Sequence, residues 1–150
     1  MSRPSPNRLH SYPHNLSIPT RWADNDVYGH VNNSVYYFFF DTLVNEWLIN
    51  QGLLEIGKSE TIGLVVETSC NFFAPITYPD VIHGGLRVTK IGSSSVRYEI
   101  GLFKNDEEAC SAKGHFIHVY VDEKTRRPAA LSAEMRTKLD GISAINSPSS

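Results

Sequence analysis

The sequence predicts an α+β domain in which one curved antiparallel sheet packs on one long helix. Two observations predict it. Apolar residues recur every four positions through residues 33–50, and the remainder of the chain divides into apolar or alternating segments separated by short turns. Turns this short join antiparallel neighbours, because a parallel crossover needs a dozen or more residues.

A short strand near residues 16–22 comes first. The helix follows, from Asn32 or Asn33 to Asn50. Val35, Phe39, Leu43 and Trp47 form one row on it, and Tyr36, Phe40, Val44 and Leu48 form a second beside it, which together make the wide apolar face of a deeply buried helix. Asp41, Thr42, Asn45 and Glu46 lie on the other side. Asn32 suits an N-cap and Gly52 a C-terminal stop. At about 1.5 Å per residue the helix spans about 27 Å, enough to cross a small domain. Residues 61–73 are β-branched and aromatic and end at the breaker Ala74-Pro75. Residues 81–91 lie between the turns at Tyr78-Pro79-Asp80 and Gly92-Ser93-Ser94. Val96, Tyr98, Ile100 and Leu102 alternate with Arg97, Glu99 and Gly101, the period of a half-buried strand. After the polar turn at residues 105–108, Ile117, Val119 and Val121 alternate with Phe116, His118 and Tyr120. Residues 132–139 suggest a final short helix.

The chain has 150 residues, the length of one domain, with 41% apolar residues to build a core. The Ser-, Pro- and Asn-containing ends read as solvated tails, so the expected domain runs over residues 15–141, with tails at 1–14 and 142–150. Fourteen basic against sixteen acidic residues argue against a general nucleic-acid binder. No stretch approaches the ~20 apolar residues of a membrane helix, and residues 1–15 contain no apolar signal region. The expected location is cytoplasmic, with Cys70 and Cys110 as free thiols. No Cys or His cluster has zinc-site spacing, so no metal is expected. His115 and His118 are three apart on a strand and face opposite ways.

The segment between the first strand and the helix holds Asp24, Asn25, Asp26, Gly29, His30, Asn32 and Asn33. A helix start offers unpaired N–H groups and the positive end of its dipole, so amides near Asn32 and Asn33 suit an oxyanion. A carboxylate just upstream suits a nucleophile or general base toward the same carbonyl. Simple capping selects Asp and Asn at such a place as well, so spacing alone leaves both readings open.

The run Arg21-Trp22-Ala23-Asp24-Asn25-Asp26-Val27-Tyr28-Gly29-His30-Val31-Asn32-Asn33-Ser34-Val35-Tyr36, continuing to Phe40-Asp41, resembles the signature of the 4-hydroxybenzoyl-CoA thioesterase family. The likeness extends in strand order over residues 16–122. It implies a hotdog fold, a homodimer with sites at the subunit interface and further pairing into tetramers left open, and hydrolysis of an acyl-CoA to free acid and CoA. By position in the motif, Asp26 corresponds to the catalytic carboxylate, Asn33 to the oxyanion donor, Gly29 to the tight turn before it, and Asp24 to a loop-holding residue. His30-Val31-Asn32-Asn33 is similar to the bacterial acyl-CoA branch and departs from the more apolar founding aryl-CoA hydrolase, which implies a substrate other than 4-hydroxybenzoyl-CoA. CoA belongs to the substrate, so no separate cofactor is expected. An acyl-carrier-protein thioesterase and a non-catalytic acyl-CoA-binding module are the alternatives, with a dehydratase remote because the loop does not resemble that branch's His-containing motif.

Substrate contacts are expected from Gly29, His30 and Asn32 in the loop and from Glu67 and Ser69, which share a strand face with Asn71; ordinary cross-strand pairing would place the last three there equally well. For the CoA phosphates the available cations are Arg87, Lys90, Arg97, Lys104, Lys113, Arg126 and Arg127. Lys90 and Arg97 flank the Ser93-Ser94 turn, and the four form the expected nucleotide cluster. Glu46 stands where a different hotdog branch places its catalytic Glu, although a surface or interface role suits it better.

Overall fold

The computed structural model describes residues 5–144. Strand β1 (His14–Pro19) precedes helix α1 (Asn33–Asn50), followed by β2 (Thr61–Phe72), β3 (Val81–Ile91), β4 (Ser95–Lys104), β5 (Ala112–Asp122) and helix α2 (Ala133–Asp140). The strands form one five-stranded sheet in the order β1-β3-β4-β5-β2, every pairing antiparallel. Each element expected from the sequence is present. The main shift is at β1, which runs earlier than residues 16–22 because Trp22–Asp24 form a 3-10 turn instead.

Helix α1 lies across the concave face. Tyr36, Phe39, Phe40, Leu43, Val44, Trp47 and Leu48 are buried, while Val35 is half-buried at the margin. Full burial of each such side chain is worth about 1.5–3 kcal/mol, which suffices to fix the helix on the sheet. The approach is close because two strand positions under it are glycine. A Cβ on Gly84 would stand 2.4 Å from Leu43, and one on Gly114 would stand 2.6 Å from Phe40 and 2.2 Å from the Ser69 carbonyl. Rings continue the contact across the sheet, with Phe40 on Phe116 at 5.6 Å and Tyr36 on Phe72 at 4.9 Å. The helix ends in a Schellman turn: Gly52 at φ +73° lets its N–H reach the Ile49 carbonyl and that of Leu53 reach the Leu48 carbonyl.

Packing extends past both expected domain limits. Asn7 and Tyr12 are buried, and Ile142 is buried beside β3. The C-terminal segment pairs with Val88, whose N–H donates to Ile142 and whose carbonyl accepts from Ala144. It takes the edge of β3 left open beyond Leu86, where β1 begins. The outermost parts of both expected tails, residues 1–4 and 145–150, lie outside the described residues.

His118 sits in the core at 4% exposure between Phe116, Tyr98 and Tyr120, and neither ring nitrogen has a hydrogen-bond partner among the described residues. Burial drives its pKa down to about 4. The folded chain therefore keeps this ring neutral in a range where the unfolded chain, near 6.5, takes up a proton. The associated stability is present above pH 6.5 and is lost as pH falls toward 4, to the extent of about 3 kcal/mol. Denaturant titrations at stepped pH should show the parent losing that amount relative to His118→Phe, which keeps an aromatic ring and removes the titration.

Candidate active site

The loop between β1 and α1 is built by fixing its two ends and closing its middle. Thr20 donates from both N and Oγ1 to the Asp80 carbonyl, at 3.2 and 2.6 Å, so the chain leaves β1 tied to the turn before β3. Asp24, only 1% exposed, accepts from the Arg21 amide at 2.8 Å and from Arg21 Nε and Nη2 at 3.1 and 2.8 Å. Its own carbonyl accepts from the Asn32 N–H at 2.9 Å, which ties the start of the loop to the start of the helix. The Val31 N–H donates to Ile76 at 2.7 Å, and Asn25 Oδ1 accepts from the Tyr78 N–H at 3.1 Å, which fastens the loop to residues 76–78.

Within that frame, residues 26–30 close on themselves. The Asp26 N–H donates to the His30 carbonyl at 2.8 Å, and Gly29, at φ +81°, donates to the Asp26 carbonyl at 3.1 Å. A residue with a Cβ adopts that backbone only with strain. Asp26 Oδ1 accepts from the Tyr28 N–H at 2.8 Å and from the His30 N–H at 3.5 Å. Oδ2 has no hydrogen-bond partner among the described residues. The carboxylate is thus oriented through one oxygen and available through the other.

Asn32 caps the helix, its Oδ1 accepting from Ser34 N at 3.0 Å and Ser34 Oγ at 2.8 Å. The Asn33 N–H, first in the helix, has no partner among the described residues. An oriented carboxylate and an unused helix N-terminal donor on one short loop are the two groups that attack on a carbonyl requires. The surroundings are open. Trp22, Val27 and Tyr28 are largely exposed, Trp22 meets Tyr78 edge-to-face at 6.0 Å, and Asp26 lines none of three concavities of about 750, 470 and 280 Å³ elsewhere on the chain.

The structure brings some expected residues together and separates others. Asp26, Gly29, His30, Asn32 and Asn33 share the loop. Glu67 and Ser69 do share a face, but it is the face turned away from α1. There His115 bridges them, with Nε2 2.7 Å from Glu67 Oε2 and Nδ1 3.0 Å from Ser69 Oγ. Arg97 joins the same group, its Nη2 3.3 Å from His115 Nδ1. Lys90, Ser93 and Ser94 lie at the far end of β3 from the loop, on a strand of 11 residues that is about 33 Å long at the usual rise of about 3.3 Å per residue. Carbonyls of that turn are occupied: Ser93 accepts from Leu131, Ser94 from Tyr120, and Gly92 from Arg136. Glu46 pairs with His14 at 3.0 Å and with Asn50, so its carboxylate is engaged between β1 and α1. His115 and His118 point to opposite faces, as their spacing requires. Among the described residues no group of three metal-binding side chains occurs. No described helix is long and apolar enough to cross a membrane.

Sequence reasoning did not find the docking strip formed by Ile76 and Tyr78, or Asn25 as its anchor. The breaker Ala74-Pro75 and the turn at Pro79 marked a boundary there without indicating what it would hold.

Comparison with known proteins agrees with this architecture. Residues 20–139 match the family model described as the thioesterase-like superfamily. The PA5185 protein from Pseudomonas aeruginosa is 48% identical in sequence and superposes with a TM-score of 0.89, over 93% of this chain and 97% of that one. Slr0204 from Synechocystis, a 1,4-dihydroxy-2-naphthoyl-CoA thioesterase, superposes with a TM-score of 0.76 at 19% identity, over 84% of this chain and 94% of that one, which establishes likeness of fold. A chloroplastic acyl-acyl carrier protein thioesterase from Arabidopsis thaliana is 26% identical over 129 residues, 83% of this chain. The chain spans 66% of that relative's length.

Asp24 supplies the test of this loop. Asp24→Ala strands the Arg21 amide and removes three hydrogen bonds, at an expected cost of roughly 2–3 kcal/mol in denaturant unfolding. Arg21→Ala, on a side chain 75% exposed, should cost clearly less.

Proposed function

We propose that this chain, which belongs to the thioesterase-like superfamily, hydrolyses an acyl-CoA thioester to a free carboxylic acid and CoA. The observation that carries the reading is Asp26, held through Oδ1 by the amides of its own loop with Oδ2 left available, next to a helix whose first amide is unused. The thioester carbonyl oxygen would take the Asn33 N–H as negative charge develops on it. Asp26 either attacks the carbonyl, giving an acyl–aspartyl anhydride and CoA thiolate that water then resolves, or removes a proton from the water that attacks. The narrower kinship with the 4-hydroxybenzoyl-CoA thioesterase family, in its bacterial acyl-CoA branch, is part of the same proposal. His30 and Asn32 are assigned to the loop around the thioester.

The open surroundings of Asp26 support a site walled by a second copy. Strand β2 is paired only on its β5 side among the described residues, and Leu64, Val65 and Val66 are exposed along it. A long apolar edge of this kind is a template for pairing with another chain. In the proposed homodimer two such edges meet, and pairs of dimers remain compatible with the free sheet face. The expected nucleotide contacts Lys90, Ser93, Ser94 and Arg97 fit this reading only across a subunit boundary, given their separation from the loop within one chain. Hydrolysis of acyl-carrier-protein thioesters is the second reading, favoured by the Arabidopsis relative. Rates on matched CoA and carrier-protein thioesters decide between them.

Asp26→Asn keeps the shape of the carboxylate and removes its basicity, so thiol release measured colorimetrically should fall about 10²–10⁴-fold with folding intact. Parental rates from that variant on every acyl-CoA tried would overturn the assignment. Val66→Asp, at the 61% exposed position on the β2 edge, should shift the assembly toward monomer in sedimentation velocity and lower activity in parallel.

A further inference from the structure

The face of the sheet turned away from α1 carries a polar cleft of about 280 Å³ that includes no residue of the Asp26 loop. Its floor is two adjacent rungs of the sheet. One runs Arg87, Glu99, His115, Ser69 from β3 to β2, each pair in register. The next runs Gly85, Gly101, Lys113, Asn71. The two glycines leave room for the Tyr12 ring, which lies against both and forms one wall. Arg87 stacks over that ring at 5.0 Å.

We infer that this cleft is a binding site for a phosphate dianion, held between Arg87, Arg97 and Lys113 and separate from the Asp26 loop. Charge is the first argument. Three cations and one carboxylate, Glu99, line the cleft, and a second carboxylate, Glu67, stands 2.7 Å behind His115, so positive charge is in local excess on a chain whose net charge is −2. The excess lies in partly buried side chains, Arg87 being 14% and Arg97 33% exposed, where solvent screens it less than on open surface. A phosphate group suits that excess because several acceptor oxygens can meet guanidinium and ammonium donors arriving from three directions.

Preorganisation is the second argument. Glu99 accepts from Arg87 Nε and Nη2 at 3.1 and 2.9 Å, from Arg97 Nε at 3.2 Å and from Thr89 Oγ1 at 3.2 Å. Burial alone would raise its carboxyl, but the two guanidinium groups outweigh that and hold it below the usual carboxylate range. Glu99 thus stays ionised and fixes both forks in place. Arginine only donates, so the contact from Arg97 makes His115 Nδ1 an acceptor and puts the ring proton on Nε2, facing Glu67. Arg97 Nη1 and the Asn71 side-chain amide keep unused donors among the described residues. Lys113 Nζ reaches Ser5 O at 2.5 Å and Asn7 Oδ1 at 3.4 Å, which sets it at the rim.

Amide NMR titration of the full chain tests this, with potassium phosphate against potassium chloride at equal ionic strength. Saturable shifts at Asn71, Lys113 and Gly114 are expected with phosphate alone. Arg87→Gln and Lys113→Gln, each confirmed folded by its spectrum, should weaken the binding at least tenfold. Asp26→Asn should leave it intact, which separates this site from the proposed hydrolytic one. A parallel titration with CoA identifies the source of the phosphate group: saturation at lower concentration than inorganic phosphate assigns it to CoA, and the reverse order to free phosphate. Shifts no larger than those with chloride, or equal affinity in parent and both variants, would overturn the inference.

Discussion

The placement of α1 on the concave sheet is the constraint from which the rest of the molecule follows. The helix buries a stripe two rows wide, and the sheet accepts it closely because Gly84 and Gly114 leave space for Leu43 and Phe40. Once those contacts are made, the helix can neither slide nor turn without opening the core. Its N-terminus is thereby delivered beside residues 76–80, where the incoming loop is already tied through Thr20. The candidate chemistry therefore depends on packing well away from the loop itself.

Two aspartates in that loop illustrate how environment divides labour between identical side chains. Asp24 is buried, and its hydrogen bonds join both strands of the loop. Such a group is costly to remove and poorly placed to react. Asp26 is partly exposed and commits one oxygen to amides of its own turn. Capping and catalysis, which spacing alone could not separate, fall to different residues: Asn32 caps α1, which leaves Asp26 free of that role.

The two faces of the sheet are equally distinct. The inner face is an aromatic and aliphatic core into which His118 is drawn as a neutral ring. The outer face carries charged rungs, continuous from Arg87 to Ser69. Alternation along each strand separates the two, so neighbouring residues such as Arg97 and Tyr98 serve different surfaces.

The elements, their order and the loop that carries the candidate chemistry can be read from the amino-acid order, because they depend on local periodicity, caps and breakers. Asn32 as cap, Gly52 as stop and the bounds of β3 were legible for that reason. The amino-acid order also placed Glu67, Ser69 and Asn71 on one face, since a period of two needs no partner to be read. Which face that would be was decided only by the tertiary structure, when β2 paired with β5 and brought Ser69 opposite His115. The same holds for Arg87, Arg97 and Lys113, scattered in sequence and gathered by strand register, and for Lys90 and Ser93, carried to the other end of β3. Residues far apart in the chain meet only through register and burial, and neither is encoded in the spacing around any one of them.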